Sequence, residues 1–144
     1  SNNGVLYEGK QETQEVFSKE VMADLTYALK GTITGGTGAA ALALGRPAAG
    51  KTGTSQSNAS AWFSAYTPQL AASVALFRDS ASESLNGIGG LTSVTGGTFP
   101  ARIWTAFMKG ALKGEPVMDF PAPSNIGGLD PVVITSGGKQ TRKP

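Results

Sequence analysis

Residues Gly45–Ser55 read "GRPAAGKTGTS". Two patterns overlap in it. Gly45 to Thr52 satisfies G-x-x-x-x-G-K-[ST], a loop whose backbone N–H groups cradle phosphates. Lys51-Thr52-Gly53-Thr54 reads equally as K-T-G-T, a polar strand with alternating side chains. A phosphate loop needs a buried strand leading in and a helix starting at the lysine, so that free N–H groups and the helix dipole meet the anion. The residues after Lys51 are Thr-Gly-Thr-Ser-Gln-Ser-Asn, with no apolar periodicity. Pro47 removes one of the donors such a cradle uses. An apolar run ending in Asp is also missing: in "VALFRD", Arg78 intervenes before Asp79. A nucleotide-binding module is the weaker reading, and it would require saturable ATP binding.

"AAGKTGTS" and "SAWFSAYT" are separated by the polar turn "QSNA", and "TPQ" connects into "LAASVALFR". Pro68 suits the second position of a β-turn. Three antiparallel strands joined by two hairpins follow. On such a strand Thr52 and Thr54 point to one face, where two hydroxyls can bind a carboxylate. Lys51 supplies positive charge, and Gly53 admits a close backbone neighbour. If the strand is an edge, its free N–H groups can face an oxyanion. The motif alone is more often merely a polar strand end.

Upstream, Ser18 is placed to cap a helix whose Val21, Leu25 and Leu29, with Met22, form an apolar stripe. Phe17 and Met22 are spaced for a hydrophobic staple, and Gly31 for a stop. Ala39–Leu44 is expected as a short helix and residues 80–99 as a Gly/Ser-rich loop. Pro100 opens a second helix with Ile103, Trp104, Phe107, Met108, Ala111 and Leu112 on a broad apolar face, ended by Gly114. Trp62 and Trp104 are expected as core anchors, and the glycines of "TGGTG" and "TGG" as tight turns. The expected organisation is an irregular segment 1–17 with a possible strand at "GVLYEG", a folded unit 18–122, and a disordered Gly/basic tail 123–144. The fold class is α+β: an antiparallel three-stranded sheet flanked by helices, with one sheet face wanting a partner.

Composition narrows the chemistry. The 144 residues, 40% hydrophobic, make one domain or a piece of one. A net charge of +2, with Lys139, Arg142 and Lys143 gathered in the tail, implies no nucleic-acid partner. The absence of Cys and His excludes thiol catalysis, a Cys/His zinc site and a Ser-His-Asp triad within this chain. Neither a metal nor a cofactor is expected. No stretch approaches the length of a membrane span, and no signal-peptide pattern is present.

"GTGAA", "GRPAAGKTGTS", "AWFSAYTP" and "TGGTFPARIWTAFMKGALKG" occur in that order. From about Glu15 to Pro123 this order resembles the C-terminal half of the transpeptidase domain of class A penicillin-binding proteins, a β-lactamase/transpeptidase-like fold. The family reads K-T-G-T-T, where this chain has Ser55 last and keeps a hydroxyl. Ser60 stands where an acid often precedes "AWF", and Ser64-Ala65 where Val-Gly is common.

The resemblance implies a serine D-Ala-D-Ala transpeptidase that crosslinks peptidoglycan stem peptides and is acylated by β-lactams. Lys51 would contact the S-x-N serine. The Thr54 backbone N–H would form half of the oxyanion hole, and Thr52, Gly53, Thr54 and Ser55 would line the substrate site. The nucleophile is not here. In the family S-x-x-K and S-x-N precede K-T-G. "SGGK" (Ser136–Lys139), "SNN" (Ser1–Asn3) and "SLN" (Ser84–Asn86) match only as coincidences of position.

The expectation is therefore a C-terminal portion, inactive alone, completed by an upstream part of the same domain carrying those motifs. It would act at the extracytoplasmic face of a bacterial membrane, through an anchor absent from this chain. A β-lactamase, a β-lactam sensor or a non-catalytic module of the same fold are the rival readings.

Overall fold

The computed structural model describes residues 8–10, 14–80 and 82–126. Helix α1 spans Lys19–Thr34, strand β1 Ala49–Thr54, β2 Ser60–Tyr66, β3 Ala71–Phe77, and helix α2 Phe99–Ala111. A 3₁₀ helix occupies Ala39–Leu44, so the expected short helix is present in its tighter form. The sheet is an antiparallel meander in the order β1-β2-β3, as the hairpin pattern predicts. Most of the possible strand at 4–9, together with "SNN" and "SGGK", lies outside the described residues; Glu8 and Gly9 carry no strand.

One sheet face builds the core. Alternation puts Ala61, Phe63 and Ala65 of β2 on the buried side. Phe63 and Trp104 are fully buried, and with Ile33, Ala41, Leu44, Met108 and Leu112 they fill the space between sheet, 3₁₀ helix and α2. Each large side chain so buried contributes about 1.5–3 kcal/mol. A smaller cluster of Ala61, Leu85 and Val94 pins the 80–99 loop to the sheet.

Several expectations need correction. Trp62 is 45% exposed, because it lies next to Phe63 on β2 and so on the opposite face. On α1 the buried residues are Ala23, Thr26 and Ile33, while Val21, Met22 and Leu25 face outward. The helix packs through those three residues, and of the apolar stripe only Leu29 is half-buried. Phe17 is exposed as well. Gly31 does not stop α1: the helix runs one turn further, to Gly35, whose N–H donates to the Gly31 carbonyl at 3.2 Å. The broad face of α2 is half used, with Trp104, Met108 and Leu112 buried and Ile103 and Phe107 exposed.

After Gly114, at φ +86°, the chain turns back across the molecule. The Arg46 guanidinium donates to the carbonyls of Leu112, Glu115 and Pro116 at 3.3–3.4 Å. Gln69 Nε2 donates to Pro116 O at 2.8 Å, and Phe120 packs edge-on to Tyr66. The N–H groups of Ser124, Asn125 and Ile126 then donate to the Asp24 carboxylate on α1. These three residues, assigned from sequence to a disordered tail, are therefore docked; residues 127–144 lie outside the described set.

Candidate active site

β1 is an edge strand, with β2 on one side and no strand on the other among the described residues. The Ser55 N–H donates to Ser60 O at 3.0 Å, which fixes the phase of the ladder. Lys51 pairs with Ser64 and Gly53 with Trp62 in that phase, so their N–H and C=O groups face β2. The N–H groups of Gly50, Thr52 and Thr54 consequently point to the open edge. Lys51 is exposed, and its Nζ donates to the edge-facing carbonyl of Thr52 at 3.0 Å.

Thr52 lies opposite Phe63 and Thr54 opposite Ala61, so both hydroxyls sit on the α2 side of the sheet, as their spacing predicts. Each meets one glycine-rich loop. Thr52 Oγ1 is 2.5 Å from Thr37 Oγ1 in "TGGTG", and Thr54 Oγ1 accepts the Gly96 N–H at 3.2 Å from "TGG". A Cβ at Gly96 would run into the Trp62 carbonyl and the Gly53 backbone, and one at Gly97 into the Thr37 carbonyl. These glycines let the two loops close on β1 and on each other. Gly53 has ordinary room, with the Trp62 Cβ 3.4 Å from the position of an added Cβ.

Lys51, Thr52, Gly53 and Thr54 are thus gathered at one edge. Ser55 is not. Its hydroxyl accepts the Ser60 N–H at 2.7 Å and closes the β1–β2 hairpin. "SLN" is likewise architectural: Leu85 is buried, Ser84 Oγ accepts the Asn86 N–H, and Asn86 Oδ1 accepts from Asn58. Thr37 and Gly96 are not named as site residues by the sequence: the glycines around them read as tight turns, and only the family resemblance puts such loops near the cleft.

On the other sheet face a hollow lies between α1 and the strands, lined by Leu29, Lys51, Ser64, Tyr66, Ala71 and Ser73. Among the described residues no cluster of acids could hold a metal ion, and no helix is long and apolar enough to cross a membrane. The edge therefore presents two hydroxyls, an ammonium and a free N–H from Thr54. Such a set suits an anion beside a polarised carbonyl.

The family model of the penicillin binding protein transpeptidase domain matches residues 4–85, more than half of the chain. The chain belongs to the penicillin-binding protein transpeptidase domain family. Penicillin-binding protein 1A of Mycolicibacterium smegmatis is 36% identical over 135 residues, which are 89% of this chain and 17% of that protein. This transpeptidase-family chain thus spans under a fifth of that relative's length. The structure of the penicillin-binding protein PonA1 from Mycobacterium tuberculosis superposes with a TM-score of 0.68 at 36% identity, covering 81% of this chain and 32% of that one. PonA1 in complex with penicillin V matches with the same TM-score over 76% of this chain and 30% of that one. The three-stranded sheet with flanking helices is thus a recognisable part of the transpeptidase fold.

Proposed function

We propose that this chain supplies the K-T-G strand of a serine D-Ala-D-Ala transpeptidase, completed by another part of the same domain that carries the S-x-x-K serine and S-x-N. The observation that carries the reading is the open edge of β1, where the Thr54 N–H points outward beside the Thr52 and Thr54 hydroxyls and Lys51. The serine Oγ attacks the penultimate D-Ala carbonyl of a stem peptide, and the Thr54 N–H stabilises the oxyanion that develops. The peptide C–N bond breaks, the serine's proton passes to the leaving D-Ala amine, and an ester to serine remains. The amine of a second stem peptide then attacks the ester, releases the serine and forms the crosslink. Thr52 and Thr54 hydroxyls hold the terminal carboxylate, which a β-lactam mimics; the PonA1–penicillin V complex makes that class of inhibitor reasonable here. Lys51 contacts the S-x-N serine and keeps a positive charge beside the carboxylate. The chain alone has no nucleophile and is inactive. Its place of work is the extracytoplasmic face of a bacterial membrane.

The test is incubation with a fluorescent penicillin, with the chain alone and with the nucleophile-bearing part added, followed by a denaturing gel. Label on the added part only, increased when this chain is present, supports the reading. Label on this chain, or none on either, overturns it.

A further inference from the structure

We propose that Thr37, outside the K-T-G strand, is a third member of the carboxylate-binding site; this deepens the transpeptidase reading above and rests on it. A hydroxyl has one proton to donate and two lone pairs. Thr54 Oγ1 accepts the Gly96 N–H, so its own proton remains to be given outward. Thr37 and Thr52 stand 2.5 Å apart and share one proton between two oxygens, which leaves a second proton of that pair to be given outward. Three hydroxyls thus present two donors, one for each oxygen of a carboxylate. Among the described residues, no group other than Thr37 is hydrogen-bonded to the Thr52 hydroxyl to fix its rotor.

The placement of Thr37 is set by the backbone. The Gly38 N–H donates to Thr32 O at 2.9 Å and anchors the loop to the end of α1. Gly97, with no Cβ, lies against the Thr37 carbonyl from the other side. Thr37 is itself exposed, and an exposed hydroxyl pair adds little to stability, so the geometry is not explained by packing. A chain of hydroxyls also polarises its terminal donor towards an anion.

The test uses the complete domain, in which this chain is joined to the nucleophile-bearing part. Rate constants for acylation are measured with a penicillin and with its methyl ester, which has the same ring and no negative charge. The unaltered domain prefers the acid. Thr37→Val is expected to lower the acid-to-ester ratio about tenfold, the scale of one hydrogen bond to a charged group. Thr37→Ser, which restores the hydroxyl, is expected to keep the ratio. Gly97→Ala, which displaces the Thr37 carbonyl, is expected to lower it too. A ratio in Thr37→Val equal to that of the unaltered domain overturns the proposal, even if both absolute rates fall, because a merely structural loss affects acid and ester alike. An unaltered domain that reacts with neither compound overturns the transpeptidase reading, and this inference with it.

Discussion

The rings of Phe63 and Trp104 meet edge to face, with centroids 5.4 Å apart, at the centre of the core between sheet and α2. The indole N–H of Trp104 is shared between Ala65 O at 3.2 Å and Ala72 O at 3.1 Å, so one side chain bridges β2 and β3. Trp104→Phe keeps an aromatic ring but removes the donor. It should cost about 1–3 kcal/mol for the carbonyls left short of a partner. Trp104→Ala should cost about 3–5 kcal/mol, because a large cavity is added. Urea unfolding midpoints of the two variants check the order; a Trp104→Phe variant as stable as the unaltered protein would mean that the N–H contributes nothing beyond packing.

Glycines of opposite role make a second comparison. Gly31 sits inside α1 with open space where a Cβ would stand, so Gly31→Ala should stabilise the protein by roughly 0.5–1 kcal/mol through the lower entropy of the unfolded chain. Gly96 lies against backbone on two strands, and no flexible side chain can give way. Gly96→Ala should destabilise by roughly 1–3 kcal/mol as an overpacked site and detach the Thr54 hydroxyl from its donor. Thermal melts of both variants read the sign directly.

The same residues indicate how far the sequence could be read. The meander was legible because turn chemistry and strand length are local, and "QSNA" and "TPQ" punctuate the chain almost at the strand ends. Which face of an element is buried is not local. Trp62 and Phe63 are adjacent aromatics, and only the position of α2 decides that Phe63 is the one covered. Likewise the stripe of Val21, Met22 and Leu25 has a clear helical period, yet α1 packs through Ala23, Thr26 and Ile33. At the site, the K-T-G strand was visible as a motif, and the shared face of Thr52 and Thr54 followed from period two. The partners of those hydroxyls, Thr37 and Gly96, come from 15 and 42 residues away and leave no mark in spacing.

Thr54 does two things that substitution can separate. Its backbone N–H faces the open edge and survives any side-chain change, whereas its hydroxyl accepts from Gly96. On the proposed function, Thr54→Val should therefore weaken binding of the substrate carboxylate, raising KM several-fold in the completed domain, while the oxyanion donor stays in place and kcat falls less. Removal of a true oxyanion donor typically costs about 10²–10³ in kcat. A loss of that size in kcat with KM unchanged would place the hydroxyl, not the N–H, at the oxyanion. Thr54→Ser should recover most of the lost affinity.

The docking of residues 124–126 on α1 should depend on pH in a defined direction. The Asn125 N–H, with those of Ile126 and Ser124, favours the charged form of the Asp24 carboxyl and holds it below its ordinary value, against a smaller opposing effect of desolvation. A carboxyl with a lowered pKa in the docked state stabilises that state fully above its ordinary pKa and loses the contribution as pH falls through the lowered value. Amide NMR shifts of Ser124, Asn125 and Ile126 should therefore move together on acidification, with one midpoint below the usual aspartate range. Glu20, also held low by its own backbone N–H and the Ser18 hydroxyl, lies one turn earlier and should report at its own amides. Asp24→Asn should flatten the titration at 124–126 and loosen those residues at neutral pH. Residues 115–120 should remain in place in that variant, because Arg46, Gln69 and the Lys30–Asp119 pair at 3.6 Å hold them independently. A titration that persists in Asp24→Asn would show that another acid holds the run.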